Sequence, residues 1–307
     1  MIEYFLTVGG QIVIMFLMVL VGYAMYKLKM LSETGIYDMS VLLLKVVTPL
    51  ILMSSFQRAF EMRLFVNWVK MFGISALTYV ISIVISEIVY KKGNAEPEDK
   101  LCVFLPNNGF LAFPLMQALA GEYGIFYGAT NVILLTIIQW TYGLKLLKPK
   151  EKISAKKIFF NPGMIGVVLG LILFFSPVKL PEYIFGAVES LSSLNTPLAM
   201  IVLGGLLAQT DLKQALTEPC FYKLSAVKLL LVPVVMLPII RFIPMTEDMR
   251  IVALICSVTP AATAVSMMSQ LCGGDYRRSA AAVVITTILS AFTMPVILAA
   301  GRVVLGY

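Results

Sequence analysis

Long apolar runs, each about the length needed to cross a lipid bilayer, recur along this chain from one end to the other. Roughly 20 apolar residues in a helix span the hydrocarbon core. We predict ten membrane-spanning helices joined by short polar connections, at residues 7–26, 36–57, 66–90, 101–121, 124–147, 159–178, 184–208, 222–243, 250–272 and 277–304. The pattern predicts an all-α polytopic membrane protein.

The fourth run is interrupted by residues that are unusual inside a helix. Proline removes a backbone donor, and asparagine side chains compete for backbone groups. Backbone groups freed inside a membrane must be satisfied by protein, ion or water, and unwound helices near the midplane indicate a transporter site. We expect Pro106, Gly109 and Pro114 to shape a helix break, and Asn107 and Asn108 to line a substrate site. For Asn108 the alternative is a cap on the second half-helix.

The two halves of the chain resemble each other. Thr48-Pro49-Leu50 recurs as Thr196-Pro197-Leu198, about 150 residues later, and Gly121-Glu122-Tyr123 as Gly274-Asp275-Tyr276. Each half holds five predicted spans, and an odd number makes the second copy enter the membrane from the opposite side. We therefore predict a 5+5 inverted repeat: residues 1–147, a basic cytoplasmic connector at 148–158, and residues 159–307.

The repeat places the ninth predicted span opposite the broken fourth one. Thr259, Pro260 and Thr263 are then the counterparts of the first break. We expect Pro260 to help to form a second break, and the two threonines to contribute to the substrate site.

Composition agrees with a membrane protein and argues against several other classes. Hydrophobic residues make up 59% of the chain and charged residues 13%, against about 25% charged in soluble proteins. The net charge of +7 is better explained by cytoplasmic loops than by nucleic-acid binding, because most Lys and Arg residues fall on one side of the predicted spans. The positive-inside rule then places both termini outside. The chain has no histidine and no CxxC spacing, so we expect no metal site and no cofactor.

Three lysines fall within predicted spans and more than three residues from a span end. Lys45 lies well inside the second span, and an intramembrane charge is by default a functional candidate. We expect it either to pair with an anionic substrate, to replace a coupling cation, or to face a water-filled crevice. Lys70 and Lys228 lie nearer to span ends and are expected to snorkel to the interface. Asn131 and Asn195 are expected to form hydrogen bonds between helices.

The chain resembles the auxin efflux carrier family of membrane transporters, which includes plant auxin exporters and bacterial malate permease-like proteins. The resemblance rests on Leu105-Pro106-Asn107 followed by Pro114-Leu115, on Asn161-Pro162, and on the last two spans. Ala112 stands where the family usually has glycine, and Val265 where plant members have a second proline.

The resemblance implies a fold similar to sodium/proton antiporters and bile acid transporters, with helices 4 and 9 crossing at their breaks. Helices 1, 2, 6 and 7 would form a scaffold that often dimerises, and helices 3–5 and 8–10 a moving transport domain. The family transports organic anions, mainly carboxylates. Malate and auxin-like aromatic acids are both compatible with the sequence, as is coupling to Na⁺ or H⁺.

We therefore expect a secondary transporter of small organic carboxylates in the plasma membrane, which works by alternating access. The alternatives are a polytopic membrane enzyme, a channel, or a carrier of a non-anionic metabolite. An enzyme needs clustered Asp, His or Ser, which the sequence does not show, and a channel needs one open pore.

Overall fold

A computed structural model describes residues 2–91, 96–176, 179–210 and 212–306 of the chain. Its regular elements are helices: α1 Ile2–Lys27, α2 Glu33–Ser55, α3 Met62–Val89, α4 Pro97–Phe104, α5 Asn108–Leu147, α6 Ala155–Phe159, α7 Pro162–Phe175, α8 Glu182–Gln209, α9 Leu212–Thr217, α10 Pro219–Phe242, α11 Glu247–Val258, α12 Thr263–Cys272 and α13 Tyr276–Leu305. Six of these helices are long and apolar enough to cross a membrane: α2, α3, α5, α8, α10 and α13.

Local sequence signals explain where several helices begin. Pro97, Pro162 and Pro219 occupy the first position of α4, α7 and α10, where the missing N–H of proline costs nothing. The side chain of Thr246 caps α11 by accepting a hydrogen bond from the backbone N–H of Met249. Four π-helical turns interrupt the α-helical pattern, at Leu43–Val47, Asn108–Ala112, Gln139–Gly143 and Val227–Leu231.

One difference from the predicted spans lies in the first half of the chain. The predicted fourth span is divided between α4 and the first part of α5, and no loop separates it from the fifth span, because α5 continues to Leu147 across a kink at Gly121. Gly121 has φ 55° and ψ −141°, a conformation that favours glycine because it has no Cβ. The predicted end of the sixth span at residue 178 lies outside the described residues.

Glycine allows α1, α2, α7 and α8 to pack closely as one group. A Cβ atom on Gly204 of α8 would overlap the backbone of Val19 of α1. A Cβ atom on Gly166 of α7 would likewise overlap the backbone of Pro49 of α2. Small residues at such contacts let membrane helices approach each other at backbone distance.

The other long helices form a second group around the two half-length helices α4 and α11. Helix α5 packs against α3 and α11, and α13 packs against α4, α10 and α12. The ends of α4 and α11 lie within this second group, which places the predicted breaks in its interior.

Candidate functional site

The two predicted breaks meet in the structure. Helix α4 ends at Phe104 and helix α11 ends at Val258, and the extended segments that follow them pair antiparallel, with Pro106 opposite Ala261. The backbone N–H of Asn107 donates to the carbonyl of Pro260 at 2.9 Å. The N–H of Ala262 donates to the carbonyl of Leu105, also at 2.9 Å. These two bonds satisfy backbone groups that the breaks remove from helical pairing.

The chain leaves the first break through a tight turn centred on Asn107. Asn107 has φ −76° and ψ 71°, and the N–H of Asn108 donates to the carbonyl of Pro106 at 2.9 Å, which is an inverse γ-turn. The Oδ1 atom of Asn107 then accepts a hydrogen bond from the N–H of Phe110 at 3.2 Å. Asn107 is therefore the cap of α5, a role that the sequence suggested for Asn108.

Both asparagines keep an amide atom without a partner. Asn107 and Asn108 are 3% and 1% exposed. The Nδ2 atom of Asn107 and the Oδ1 atom of Asn108 form no hydrogen bond within the described part of the chain. A buried polar atom left unpaired costs about 1–3 kcal/mol, so these two atoms, on residues adjacent in the sequence, are free to form hydrogen bonds with a further group.

Asn195 adds two more unpaired amide atoms. It is 1% exposed, and neither Oδ1 nor Nδ2 has a partner among the described residues. The segment Asn195–Gln209 of α8 packs against the π turn Asn108–Ala112. The prediction that Asn195 forms a hydrogen bond between helices is therefore wrong, because no group lies in position to pair with it.

A buried polar network lies on the other side of Asn108. Its Nδ2 atom donates to the hydroxyl of Tyr79 at 3.3 Å, and that hydroxyl donates to the carbonyl of Asn131 at 3.4 Å. The Nδ2 atom of Asn131 donates to Ser75 at 2.9 Å, which confirms that Asn131 links two helices. The hydroxyls of Ser75 and Thr130 are 2.9 Å apart. No signal in the sequence marks Tyr79, because a single tyrosine in an apolar helix is an ordinary core residue.

The second break occurs where Thr259 and Pro260 predicted it, although Val265 replaces a proline. Thr259 is fully buried, and its hydroxyl donates to the carbonyl of Cys256 in its own helix at 3.3 Å. The N–H of Ala261 donates to the hydroxyl of Thr286 on α13 at 3.2 Å. Val265 lies inside α12, so α12 needs no second proline to begin after the break.

The remaining predicted residues occupy different places. Pro114 follows the π turn as an early residue of the regular part of α5, and Gly109 lies within that turn with a negative φ. Thr263 opens α12 and is partly exposed. The side chain of Lys45 is exposed, in the π turn of α2.

The expectation that Lys228 snorkels to the interface is wrong. Lys228 is 1% exposed, in the π turn Val227–Leu231 of α10. Helix α10 begins at Pro219, earlier than the predicted span, so Lys228 lies deeper in the helix than the sequence indicated. Lys70, by contrast, is exposed.

Ion pairs fix the first turn of α4. Asp99 receives two hydrogen bonds from the guanidinium of Arg278, at 2.9 and 2.8 Å. Glu98 accepts a hydrogen bond from the N–H of Asp275 at 2.8 Å, and Lys100 pairs with Glu87 at 2.7 Å. The bidentate geometry adds orientation to the pair, so α4 and α13 are held together at this end. This cluster could not be predicted from the sequence, because its members are far apart along the chain.

A cavity of about 490 Å³ lies where α2 and α7 end. It is lined by Gln57, Arg58, Ala59, Phe60, Leu173, Phe175, Ser176 and Lys179. The guanidinium of Arg58 lies over the ring of Tyr123, 4.6 Å from its centroid, and 3.5 Å from the carboxylate of Glu122. Arg58 thus connects the loop after α2 to α5.

Comparison with known proteins agrees with this architecture. The sequence profile of a family described as membrane transport protein matches residues 7–157 and 151–298. An uncharacterized transporter from Methanocaldococcus jannaschii is 32% identical over 120 residues, which are 37% of this chain. That match spans only 39% of the relative's own length. Because the profile covers nearly the whole chain, this multi-pass membrane protein belongs to the membrane transport protein family, the auxin efflux carriers.

Proposed function

We propose that this protein is a secondary transporter of small organic carboxylates, and that the substrate binds where the two helix breaks meet. The observation that carries the proposal is the pair of unpaired amide atoms on Asn107 and Asn108, buried beside the backbone bridge between the breaks. Asn107 supplies a donor and Asn108 an acceptor, so a carboxylate and a neighbouring hydroxyl of the substrate are both accommodated.

The helix ends at this point favour an anion. Helices α5 and α12 both begin directly after a break, at Asn108 and Thr263. A helix N-terminus carries a partial positive charge, worth about 0.3–1 kcal/mol for an anion and up to about 2 kcal/mol when partly buried. Asn107 and Asn108 add neutral amide groups, so no net charge of the protein needs to be desolvated to obtain this effect.

Burial of the site supports alternating access. Asn107, Asn108 and Thr259 are each at most 3% exposed, so solvent does not reach them in this conformation. A substrate enters only when the surrounding helices move. A channel would keep the path open, so the closed crossing favours a carrier over a channel.

The packing of the helices supports an inverted repeat of two five-helix halves. In such a repeat α1 corresponds to α7, and α2 to α8. Under this correspondence the contact of α1 with α8 is the counterpart of the contact of α7 with α2, and both contacts are observed. The reciprocal bridge between the breaks has the same symmetry. We propose residues 1–147 and 159–307 as the repeats and 148–158 as the connector.

The two packed groups of helices suggest how the protein moves. We propose that α1, α2, α7 and α8 form a scaffold, and that the group containing α4, α5, α11 and α12 moves against it as an elevator. Apolar side chains on α1, such as Leu17 and Leu20, are 57% and 60% exposed, which suits contact with lipid or with a second copy in a homodimer. The charge distribution favours an orientation with both termini outside, and we propose that the membrane is the plasma membrane.

Counterflow in proteoliposomes tests the proposal. Vesicles loaded with unlabelled malate or indole-3-acetate are diluted into the same labelled compound, with and without a sodium or proton gradient. We expect saturable accumulation of at least one of these carboxylates, and the gradient arms identify the coupling ion. Protein-free vesicles and vesicles with heat-unfolded protein are the controls.

The outcomes separate the alternatives. Saturable exchange inhibited by other carboxylates supports the carrier of organic anions. Exchange of cationic or neutral metabolites alone would contradict the proposed substrate class and leave a carrier of another kind. Flux that does not saturate and shows no counterflow would favour a channel.

A further inference from the structure

The buried lysine of α10 stands apart from the other charges of the protein. Lys228 lies in the π turn Val227–Leu231, which packs against α4, α11 and α13. Helix α4 ends at Phe104, directly before the first break, and α11 ends at Val258, directly before the second. Lys228 therefore lies among the half-helices that lead into the two breaks.

Lys228 has no carboxylate counter-ion among the described residues. No salt bridge of the described ranges includes it, whereas Lys100 pairs with Glu87. The carboxylates at the start of α4 are already engaged, Asp99 by Arg278 and Glu98 by a backbone N–H. A buried charge without a partner is expensive in protein or lipid, so its retention indicates a role.

Polar groups connect Lys228 to the crossing of the breaks. Cys256 lies one turn before Thr259 on α11, and α11 contacts both the π turn that carries Lys228 and helix α5, which carries Asn131. The carbonyl of Asn131 accepts from Tyr79, whose hydroxyl in turn accepts from Asn108. Electrostatic interactions weaken only slowly with distance in such a poorly polarisable interior, so the lysine acts on a ligand beside Asn108 without touching it.

We infer that Lys228 supplies the positive charge that offsets the substrate carboxylate in the closed carrier, as a positioning residue behind the binding site. This inference rests on the proposed function, because it requires an anionic substrate at the crossing. It assigns the charge compensation to α10 of the second half, whereas the hydrogen-bonding amides come from the first half. A carrier with this built-in cation needs no co-bound sodium ion to neutralise a monocarboxylate.

The test compares Lys228→Met with wild type in the counterflow assay. Methionine keeps the length and burial of the side chain and removes the charge. Unlabelled malate and its neutral diamide compete for labelled exchange, and indole-3-acetate and its amide form a second pair. We expect Lys228→Met to lower the affinity for the carboxylate relative to the amide by about tenfold. Lys70→Met, which removes an exposed charge of α3, is the matched control and should leave this ratio unchanged.

A thermal-unfolding measurement accompanies the transport assay. Removal of an unpaired buried charge should keep or raise the melting temperature, so Lys228→Met is expected to be well folded. A purely structural lysine would change the affinities for carboxylate and amide equally. An unchanged ratio in a folded Lys228→Met protein, with wild type still exchanging carboxylates, would overturn the role of Lys228 alone. Absence of carboxylate exchange by wild type would instead overturn the proposed function, and this inference with it.

Discussion

The two helix breaks share a backbone design but differ in their side chains. Each break donates one N–H to the other and accepts one in return, through Asn107 and Pro260 on one side and Ala262 and Leu105 on the other. The first break is followed by a π turn with two amide side chains, and the second by a regular α-helix that begins at Thr263.

The difference shows that two breaks with the same backbone pairing can offer different polar side chains to a ligand. At the second break the hydroxyl of Thr259 is satisfied by its own helix, and Ala261 and Ala262 offer no polar side chain. At the first break Asn107 and Asn108 keep unpaired atoms. The second break therefore contributes backbone hydrogen bonds to the bridge between the two breaks. The first break is where we expect the substrate to form hydrogen bonds.

The largest effect is expected from the first break. Asn107→Ala removes the unpaired Nδ2 donor and should weaken carboxylate affinity by about tenfold to a hundredfold, the value of one or two hydrogen bonds to a charged group. Thr259→Val at the second break keeps shape and removes only a hydroxyl bonded within its helix, so its affinity should stay close to wild type. Both are measured by counterflow, with membrane insertion checked by yield and gel filtration.

Equal effects of these two substitutions on affinity would contradict the proposed difference between the helix breaks, because both breaks would then contribute equally to binding.

A third substitution, Asn107→Asp, tests the same difference through charge. The aspartate keeps the acceptor that caps α5 at Phe110 but faces the substrate with a negative charge. We expect it to fold and to bind carboxylates less well than Asn107→Ala does.

The next effect concerns the support of the second break. Thr286→Val removes the acceptor of the buried N–H of Ala261 and should destabilise the protein by about 1–2 kcal/mol. The neighbouring Thr287 is equally buried, but its hydroxyl has no partner within the described segments. Thr287→Val should therefore be neutral or slightly stabilising. Thermal unfolding in detergent distinguishes the two, and similar melting temperatures would mean that Thr286 does not support the break.

A smaller effect on substrate affinity is expected from the hydrogen-bond network that joins Asn108 to Tyr79 and Asn131. Tyr79→Phe keeps the ring and removes the hydroxyl that joins Asn108 to Asn131. One neutral hydrogen bond is worth about 1 kcal/mol, so affinity should fall about fivefold while the fold is retained. Tyr37→Phe, at a residue that is 62% exposed, is the control. An unaffected affinity in Tyr79→Phe would show that the network does not orient Asn108.

The smallest effect is expected at Gly109. Its φ is negative and a Cβ atom there would meet no neighbour within 4 Å, so Gly109→Ala should change stability by less than about 0.5 kcal/mol. Gly121→Ala provides the contrast, since Gly121 has φ 55° and ψ −141°, a conformation that other residues rarely adopt, and alanine there should cost about 1–3 kcal/mol. A large loss in Gly109→Ala, seen in the melting temperature, would mean that the π turn needs glycine.

Sequence alone predicted both breaks and the long helices, because proline and asparagine inside apolar runs have few structural explanations. It did not predict the register of the bridge, in which Pro106 faces Ala261, since this depends on how two distant helices meet. The π turns have no clear residue signature. The burial of Lys228 was missed for a physical reason, because the snorkelling rule considers one helix by itself and α4, α11 and α13 cover this one.

A structure of the protein in lipid nanodiscs, determined with a carboxylate that it exchanges, tests the central claim most directly. Our account predicts ligand density at the meeting point of the two breaks, with a carboxylate oxygen within hydrogen-bonding distance of Asn107 Nδ2. Density only in the cavity beside Arg58 and Lys179, with the crossing unoccupied and closed, would contradict it.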